Sequence, residues 1–324
     1  MVRKISRPPR SDQRTCAVIR ENPVRELVII SGKGGTGKTS LTAAFASLSE
    51  NSVFCDADVD AADLHLLMKP EIRKRSDFMG GCRAEINPEL CDECGRCIEL
   101  CRFGAINEDY RVDAIECEGC GVCVDLCPIQ AIDFPVQKCG EWFISDTRFG
   151  PMVHARLGIA EENSGKLVSL IRKETKSLAE EKGYDLIITD GPPGIGCPVI
   201  ASISGATALV IVVEPTVSGI HDMERVVDLA AHFKIPGMIC INKYDLNIEM
   251  TEKIEEIADK RNITVLGRVL FDPVFTKSMV DGLNIFEYEE QSDTLQAVKD
   301  IWTRIIRLPA MNNIGVMDYR AVIK

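Results

Sequence analysis

No run of apolar residues in this 324-residue chain approaches the roughly 18 to 20 needed to cross a bilayer. The basic N-terminus is not followed by an apolar stretch either, so neither a membrane span nor a secretory leader is expected. Stable membrane insertion is not predicted, and a cytoplasmic setting is the default. Positive charge is also in deficit: 38 Lys and Arg stand against 49 Asp and Glu, a net charge of −11, and no nucleic acid partner is expected. Histidine is scarce, with four in the chain, so histidine-based metal chemistry has few candidates. Disorder throughout is excluded by a hydrophobic content of 45%, enough for one large core and a small second module.

Cysteine is present in quantity. Fourteen are distributed along the chain, and eight of them fall between Cys91 and Cys127 at metal-ligand spacing, which favours metal binding over a disulfide scaffold. The acidity is concentrated in the same place. Residues 82–136 hold four basic and twelve acidic side chains, a net of −8, whereas residues 1–25 hold seven basic and two acidic, a net of +5. With Pro8 and Pro9 in it, that first segment reads as a flexible basic tail.

From residue 26 the chain alternates short apolar runs with helical stretches. Strands are expected at Glu26 to Ile30, Ser52 to Cys55, Tyr184 to Thr189, Ala208 to Val213, Gly237 to Ile241 and Ile263 to Leu266. Helices are expected from Thr39, at Gly165 to Glu181, Gly219 to Phe233 and Ile248 to Lys260, and last at Thr294 to Leu308. Near-continuous apolar strands separated by helices imply a parallel sheet covered on both faces, a doubly wound α/β fold. The alternation breaks between about Gly81 and Val136 and then resumes, as an insertion would produce. The expected division is therefore a tail at 1–25, a main α/β domain at 26–80 and 137–310, an insert at 81–136 and a C-terminal tail at 311–324.

Between the first strand and its helix stands Gly32-Lys33-Gly34-Gly35-Thr36-Gly37-Lys38-Thr39-Ser40, which obeys the Gly-x4-Gly-Lys-Thr pattern in its required setting. Its glycines let successive backbone N–H groups face the phosphates, the helix N-terminus adds its dipole, and Lys38 adds a positive charge. The Thr39 hydroxyl is placed for Mg2+. The segment from Lys33 to Thr39 resembles the deviant Walker A motif of the MinD, Mrp, ParA and nitrogenase iron-protein group of the SIMIBI class, with Lys33 as the deviant residue. The resemblance implies ATP and Mg2+ as ligands, ATPase activity, and a homodimer in the ATP state in which Lys33 reaches the partner's phosphates. It further identifies Asp56-Ala57-Asp58 with switch I and Asp190-Gly191-Pro192-Pro193-Gly194 with switch II. Thr39, Asp58 and Asp190 are then the residues expected near Mg2+, with Asp58 orienting the attacking water and Asp190 sensing the γ-phosphate. Asp60 and Asp63 are expected to cap the next helix. Asn242-Lys243 resembles the base-contacting segment of the group, which would put Asn242 on the adenine edge; a plain turn residue after a strand is the alternative reading.

Inside the insert, Cys91 to Ile106 and Cys117 to Ile132 are similar to one another and form two tandem runs of Cys-x2-Cys-x2-Cys-x3-Cys. This matches the two-cluster bacterial ferredoxin pattern, in which the fourth cysteine of each run ligates the other cluster. One 4Fe-4S cluster is expected on Cys91, Cys94, Cys97 and Cys127, the other on Cys117, Cys120, Cys123 and Cys101. Zinc competes for isolated CxxC pairs, but two complete runs are more specific for iron and sulfide. Arg102 stands where Pro is usual, close to the second cluster.

Cys16, Cys55 and Cys240 read as buried or tail thiols, while Cys82 and Cys139 bracket the insert as a packing or redox pair. Cys197 lies seven residues after Asp190, where the nitrogenase iron protein resembled here has a cluster-bridging cysteine; Glu161, Glu162 and Asn163 stand where a second one would be required. His154 reads as a structural imidazole, with a metal contact as the alternative. In the last helix Leu295, Val298, Trp302, Ile305 and Leu308 form a stripe that is expected to pack on the sheet. Three functions fit the resemblance: ATP-gated electron transfer to a partner protein, cluster assembly of the Mrp kind with a cluster-receiving client, and MinD/ParA-like positioning with redox sensing.

Overall fold

The computed structural model describes residues 23–158 and 163–311. The basic tail up to residue 22, with Pro8, Pro9 and Cys16, lies outside them, as do Glu161, Glu162 and the C-terminal tail after Met311. In chain order the strands are β1 (Arg25–Ser31), β2 (Ser52–Asp56), β3 (Glu71–Cys82), β4 (Glu85–Ile86), β5 (Ile132–Asp133), β6 (Val136–Thr147), β7 (Gly150–Leu157), β8 (Leu186–Pro193), β9 (Ala208–Val213), β10 (Gly237–Asn242) and β11 (Thr264–Val269). The helices are α1 (Lys38–Leu48), α2 (Leu64–Met68), α3 (Arg96–Leu100), α4 (Val122–Asp125), α5 (Ser164–Lys182), α6 (Cys197–Ile203), α7 (Val217–His232), α8 (Ile248–Lys260), α9 (Val274–Val280), α10 (Ile285–Tyr288) and α11 (Asp293–Ile306).

Nine strands form one sheet in the order β11-β10-β9-β1-β8-β2-β7-β6-β3. From β11 to β7 every neighbouring pair is parallel, and β6 alone runs against the rest. The central strands are buried on both faces, which is why β9 is apolar throughout and β1 and β8 carry unbroken apolar runs at residues 27–30 and 186–188. Helix α1 lies under the sheet with Leu41, Phe45 and Leu48 buried, and α11 covers it, Phe45 stacking on Trp302 with ring centroids 5.5 Å apart. Leu295, Val298, Trp302 and Ile305 face this core and Leu308 packs at its edge, so the terminal stripe is spent on the sheet. Each such fully buried side chain stabilises the fold by roughly 1.5–3 kcal/mol.

Five strands were not anticipated from the sequence, the short β4 and β5 and three of the main sheet. β3 is an edge strand whose EIRKRSDFMGGC sequence is exposed along most of its length, so it shows no apolar run; its lysine, arginines and acids guard the sheet edge. β6 and β7 form an antiparallel hairpin that joins this edge to β2. The departure from simple parallel alternation therefore begins at Glu71, ahead of Gly81. The segment from Phe149 to Leu157, for which no strand was expected, is almost entirely β7.

The β3–β6 ladder ends on the pair Cys82 and Val136, and the chain between them leaves the sheet. There β4 pairs with β5 through Ile86 and Ile132, and Ile106 bridges to Val112. Ile86 lies 26 residues before Val112 and Ile132 lies 26 residues after Ile106, so the two pairs exchange the halves of the repeat as a two-fold would.

Candidate functional site: a phosphate loop and a paired cysteine module

The phosphate loop joins β1 to α1, and Gly37 enters the helix with φ of 86°. A Cβ there would sit 2.4 Å from Asn242 Nδ2, so both backbone and space demand glycine. Nothing lies within 4 Å of the Cβ positions of Gly34 and Gly35, which leaves the crown of the loop open to a ligand. Below it Lys38 Nζ is 3.0 Å from Asp190 Oδ1 and 3.5 Å from Asp58 Oδ2, and the lysine is 6% exposed. Burial alone would lower the pKa of this ammonium, but Asp190 and then Asp58 outweigh it and hold Lys38 above its ordinary range.

Asp190 is also bound by two hydroxyls, Thr39 Oγ1 at 2.7 Å and Thr42 Oγ1 at 2.9 Å. Thus Lys38, Thr39, Asp58 and Asp190 converge at one point. Thr36 Oγ1 is buried and without a hydrogen-bond partner among the described residues, which suits a loop built to close on a polar ligand. Ser40 is half-buried on the first turn of α1.

Asp56 was named from the sequence without a role of its own. It is fully buried, accepts hydrogen bonds from Asp58 N at 3.3 Å and Leu64 N at 3.2 Å, and so shapes the segment after β2 from below. Burial, and then the Asp190 charge, push its carboxyl well above the usual carboxylate range; burial also raises Asp58, against the pull of Lys38. The capping expected of Asp60 and Asp63 is corrected: Asp63 occupies the N-cap of α2 without a side-chain bond, Asp60 is exposed, and Asp56 takes the Leu64 N–H.

Asn242 is 3% exposed and donates from Nδ2 to Thr36 O at 2.7 Å, while its Oδ1 accepts from Lys243 N. Its amide therefore braces the phosphate loop against β10, a task the base-contact reading did not include. Lys243 Nζ adds a second brace to Gly35 O at 3.1 Å. Lys33 folds back within its own chain, 3.3 Å from Glu214 Oε2 and donating to Thr216 Oγ1 and Ser218 Oγ. Glu214 was missed in the sequence, although it follows the apolar strand β9 as an acid, much as Asp190 follows the apolar run of β8.

The cysteine module repeats its geometry. Gly95 and Gly121 cap α3 and α4 with φ of 73° and 74°, and the left-handed pairs Glu93/Gly119 and Gly104/Gln130 are again 26 residues apart. Position 119 needs glycine because a Cβ there would lie 2.4 Å from Cys82 O, whereas its counterpart tolerates Glu93. One small cavity is lined by Cys91, Cys94 and Cys97 of the first run and Cys127 of the second, with Pro128 and Tyr110 beside them. Ala131 N donates to Cys127 Sγ at 3.3 Å. Burial raises the thiols of both Cys97 and Cys123 above their ordinary range. Among the described residues no three Cys, His, Asp or Glu side chains are set as for a single metal ion. Arg102 stacks its guanidinium over Phe103 at 4.8 Å.

At the junction, Cys82, Cys117, Gly119, Cys139, Asn163 and Lys166 line a second cavity. Asn163 and Lys166 begin α5 and also border a groove containing Cys197. Cys197 is exposed at the start of α6, and a Cβ on Gly165 would be 3.3 Å from its own Cβ. His154 is a satisfied core group: Nε2 meets Ser145 Oγ at 2.9 Å, the ring stacks on Phe143, and burial lowers its pKa to about 4. Cys55 and Cys240 are fully buried, and burial pushes both thiols up to about 12. No helix among the described residues is long and apolar enough to cross a membrane.

Comparison with known proteins agrees with the nucleotide site. Residues 27–285 match the family CbiA, described as the CobQ/CobB/MinD/ParA nucleotide binding domain. The uncharacterized protein MJ0578 of Methanocaldococcus jannaschii is 34% identical over 227 residues, 69% of this chain and 80% of that protein. The septum site-determining protein MinD of Bacillus subtilis is 24% identical over 267 residues, 79% of this chain and 80% of its own. Among solved structures, MinD of Pyrococcus horikoshii complexed with Mg-ADP superposes with a TM-score of 0.56 at 18% identity, covering 90% of this chain and 100% of that one. The Aquifex aeolicus MinC:MinD complex gives 0.53 at 21%, with 90% and 100% covered. With its phosphate loop, its mostly parallel sheet and a family match across most of its length, the chain belongs to the CobQ/CobB/MinD/ParA nucleotide-binding family of P-loop ATPases.

Proposed function

We propose that this chain is an ATP-hydrolysing iron–sulfur protein in which nucleotide-dependent dimerisation gates electron transfer from two 4Fe-4S clusters to a partner protein. The observation that carries the reading is the crossed cysteine cavity: Cys127 of the second run joins Cys91, Cys94 and Cys97 of the first, the exchange of fourth ligands that two-cluster ferredoxins use. Residues 81–136 act as the ferredoxin-like insert, and 26–80 with 137–310 as the ATPase. When bound, the clusters supply reversible one-electron storage at low potential. The eight motif cysteines hold them, and the Ala131 N–H donated to Cys127 favours a negatively charged sulfur.

On the ATPase side, Gly34, Gly35 and Gly37 leave backbone N–H groups free to face phosphate, and Lys38 supplies the charge that neutralises it. Thr39 and Asp190 hold the position for Mg2+, through the hydroxyl and the carboxylate already hydrogen-bonded to it. Asp58, near Lys38, orients the attacking water. Asp190 lies in β8, which leads through Gly194 to Cys197 and α6, so a change at the γ-phosphate reaches α5 and from there the insert.

The test is chemical analysis of anaerobically purified protein, which should contain about eight iron and eight acid-labile sulfide per chain. Cys94→Ser should remove one cluster and Cys120→Ser the other. Stoichiometric zinc without sulfide would overturn the assignment. A second reading, cluster carriage of the Mrp kind, draws on the exposed Cys197: two such thiols at a dimer axis would share a metal. A short thiol cross-linker should join the two Cys197 in the ATP state if that reading holds, and should fail to join them if it does not.

A further inference from the structure

Lys33 is held at home by an arrangement that the dimer mechanism does not require. Its ammonium lies 3.3 Å from Glu214 Oε2, and it donates to Thr216 Oγ1 at 3.3 Å and Ser218 Oγ at 3.5 Å. Thr216 is the N-cap of α7, and its hydroxyl accepts from Gly219 N at 2.9 Å. A cation is thus parked on the first turn of a 16-residue helix, the end where the macrodipole is positive and repels it. Glu214 is the nearby group that reverses this repulsion. Its side chain is only 16% exposed, and its other oxygen is paired with Lys243, which also donates to Gly35 O in the phosphate loop.

We propose that Glu214 is a positioning residue that retains Lys33 in its own subunit and thereby sets the threshold for ATP-driven dimerisation. This rests on the reading that Lys33 acts across the dimer. To act there, Lys33 must leave Glu214, Thr216 and Ser218. The departure is reversible without leaving a stranded charge, because Lys243 stays on the Glu214 carboxylate and keeps it neutralised. The partner's phosphates, with more than one negative charge, outcompete a single carboxylate that a second lysine already shares; before ATP arrives, Glu214 wins. The latch therefore suppresses association of empty or ADP-bound chains while leaving the ATP state accessible.

The experiment uses the full chain with Glu214→Gln, Lys33→Ala and the double variant. In nucleotide-free protein at low concentration, an amine-acylating reagent read by mass spectrometry should label Lys33 several-fold more in Glu214→Gln than in the wild type, while buried Lys38 stays unlabelled. Ser218→Ala, which leaves Lys243 untouched, should give a smaller increase in the same direction. Sedimentation with a non-hydrolysable ATP analogue should show tighter dimers for Glu214→Gln, and no gain when Glu214→Gln is added to Lys33→Ala. ATP affinity in the Lys33→Ala background reports any effect transmitted through Lys243. Unchanged Lys33 labelling would overturn the latch, and so would weaker dimers, which would place Glu214 in a grip across the interface. If the wild type fails to associate with the analogue at all, the dimer reading falls, while the labelling still decides whether Glu214 retains Lys33.

Discussion

Around Lys38 the charges are set so that burial does not win. Desolvation would favour the neutral amine, yet Asp190 at 3.0 Å and Asp58 at 3.5 Å keep the ammonium charged, ready for phosphate. Lys38→Ala should lower ATP turnover by at least about 10²-fold, the usual loss for a buried electrostatic stabiliser of a transition state. Steady-state hydrolysis measures it. His154 makes the opposite case, because burial holds its imidazole neutral, with a pKa lowered to about 4. An unfolded histidine titrates near 6.5, so the unfolded chain binds the proton first as pH falls. The contribution from His154 is fully present above about pH 6.5 and is lost progressively towards pH 4, a change on the order of 3 kcal/mol at most. Urea unfolding at pH 7 and pH 5 should show a drop that His154→Gln reduces. The residues of the phosphate site that form one contiguous string were legible in the sequence, since only that string makes the loop. Asp56 and Glu214 were not assigned roles, because the work of a strand-terminal acid depends on which neighbour the sheet order brings beside it.

At the scale of elements, the apolar strands and long helices could be read because burial on two faces and a 3.6-residue period leave marks in the sequence. β3 could not, as an exposed edge strand is selected to be charged rather than alternating. The hairpin of β6 and β7 was hidden for a related reason: its buried face carries Glu141, Ser145 and His154 among the apolar residues, so polar groups satisfied only in the fold interrupt the pattern. Helix α11 shows the reverse, with its stripe legible and its partner, Phe45, fixed only by the fold. Trp302→Ala should cost about 3–5 kcal/mol by emptying that contact, seen as a lower denaturant midpoint with the slope unchanged. The start of α5 matters differently, since Gly165 is packed on Cys197 and its neighbours Asn163 and Lys166 line the cavity beneath the cysteine module. Gly165→Val should push α6 away and abolish any nucleotide-dependent protection of residues 197–203 in hydrogen exchange, with α1 protection retained.

Across the whole molecule, an acidic module with a net charge of −8 stands at the edge of an ATPase sheet, joined through the paired ends of β3 and β6. The break in strand and helix alternation between Asp58 and Asp190 was legible in the sequence. The module's seat beside α5 was not, because residues 117–119 and 163–166 come to line one cavity only through the fold. That shared cavity underlies the central claim, that nucleotide state and cluster state are coupled. Coupling of about 1 to 3 kcal/mol is typical between linked sites, and 59 mV in a one-electron couple is about 1.4 kcal/mol. Reduction of the clusters must then change ATP affinity by the same factor that ATP changes reduction. The most direct measurement is an anaerobic redox titration followed by EPR, without nucleotide, with ADP and with a non-hydrolysable ATP analogue. The account predicts two 4Fe-4S signals, at least one of which moves by about 60 mV or more in the ATP-analogue state; the same potentials in all three states would contradict it.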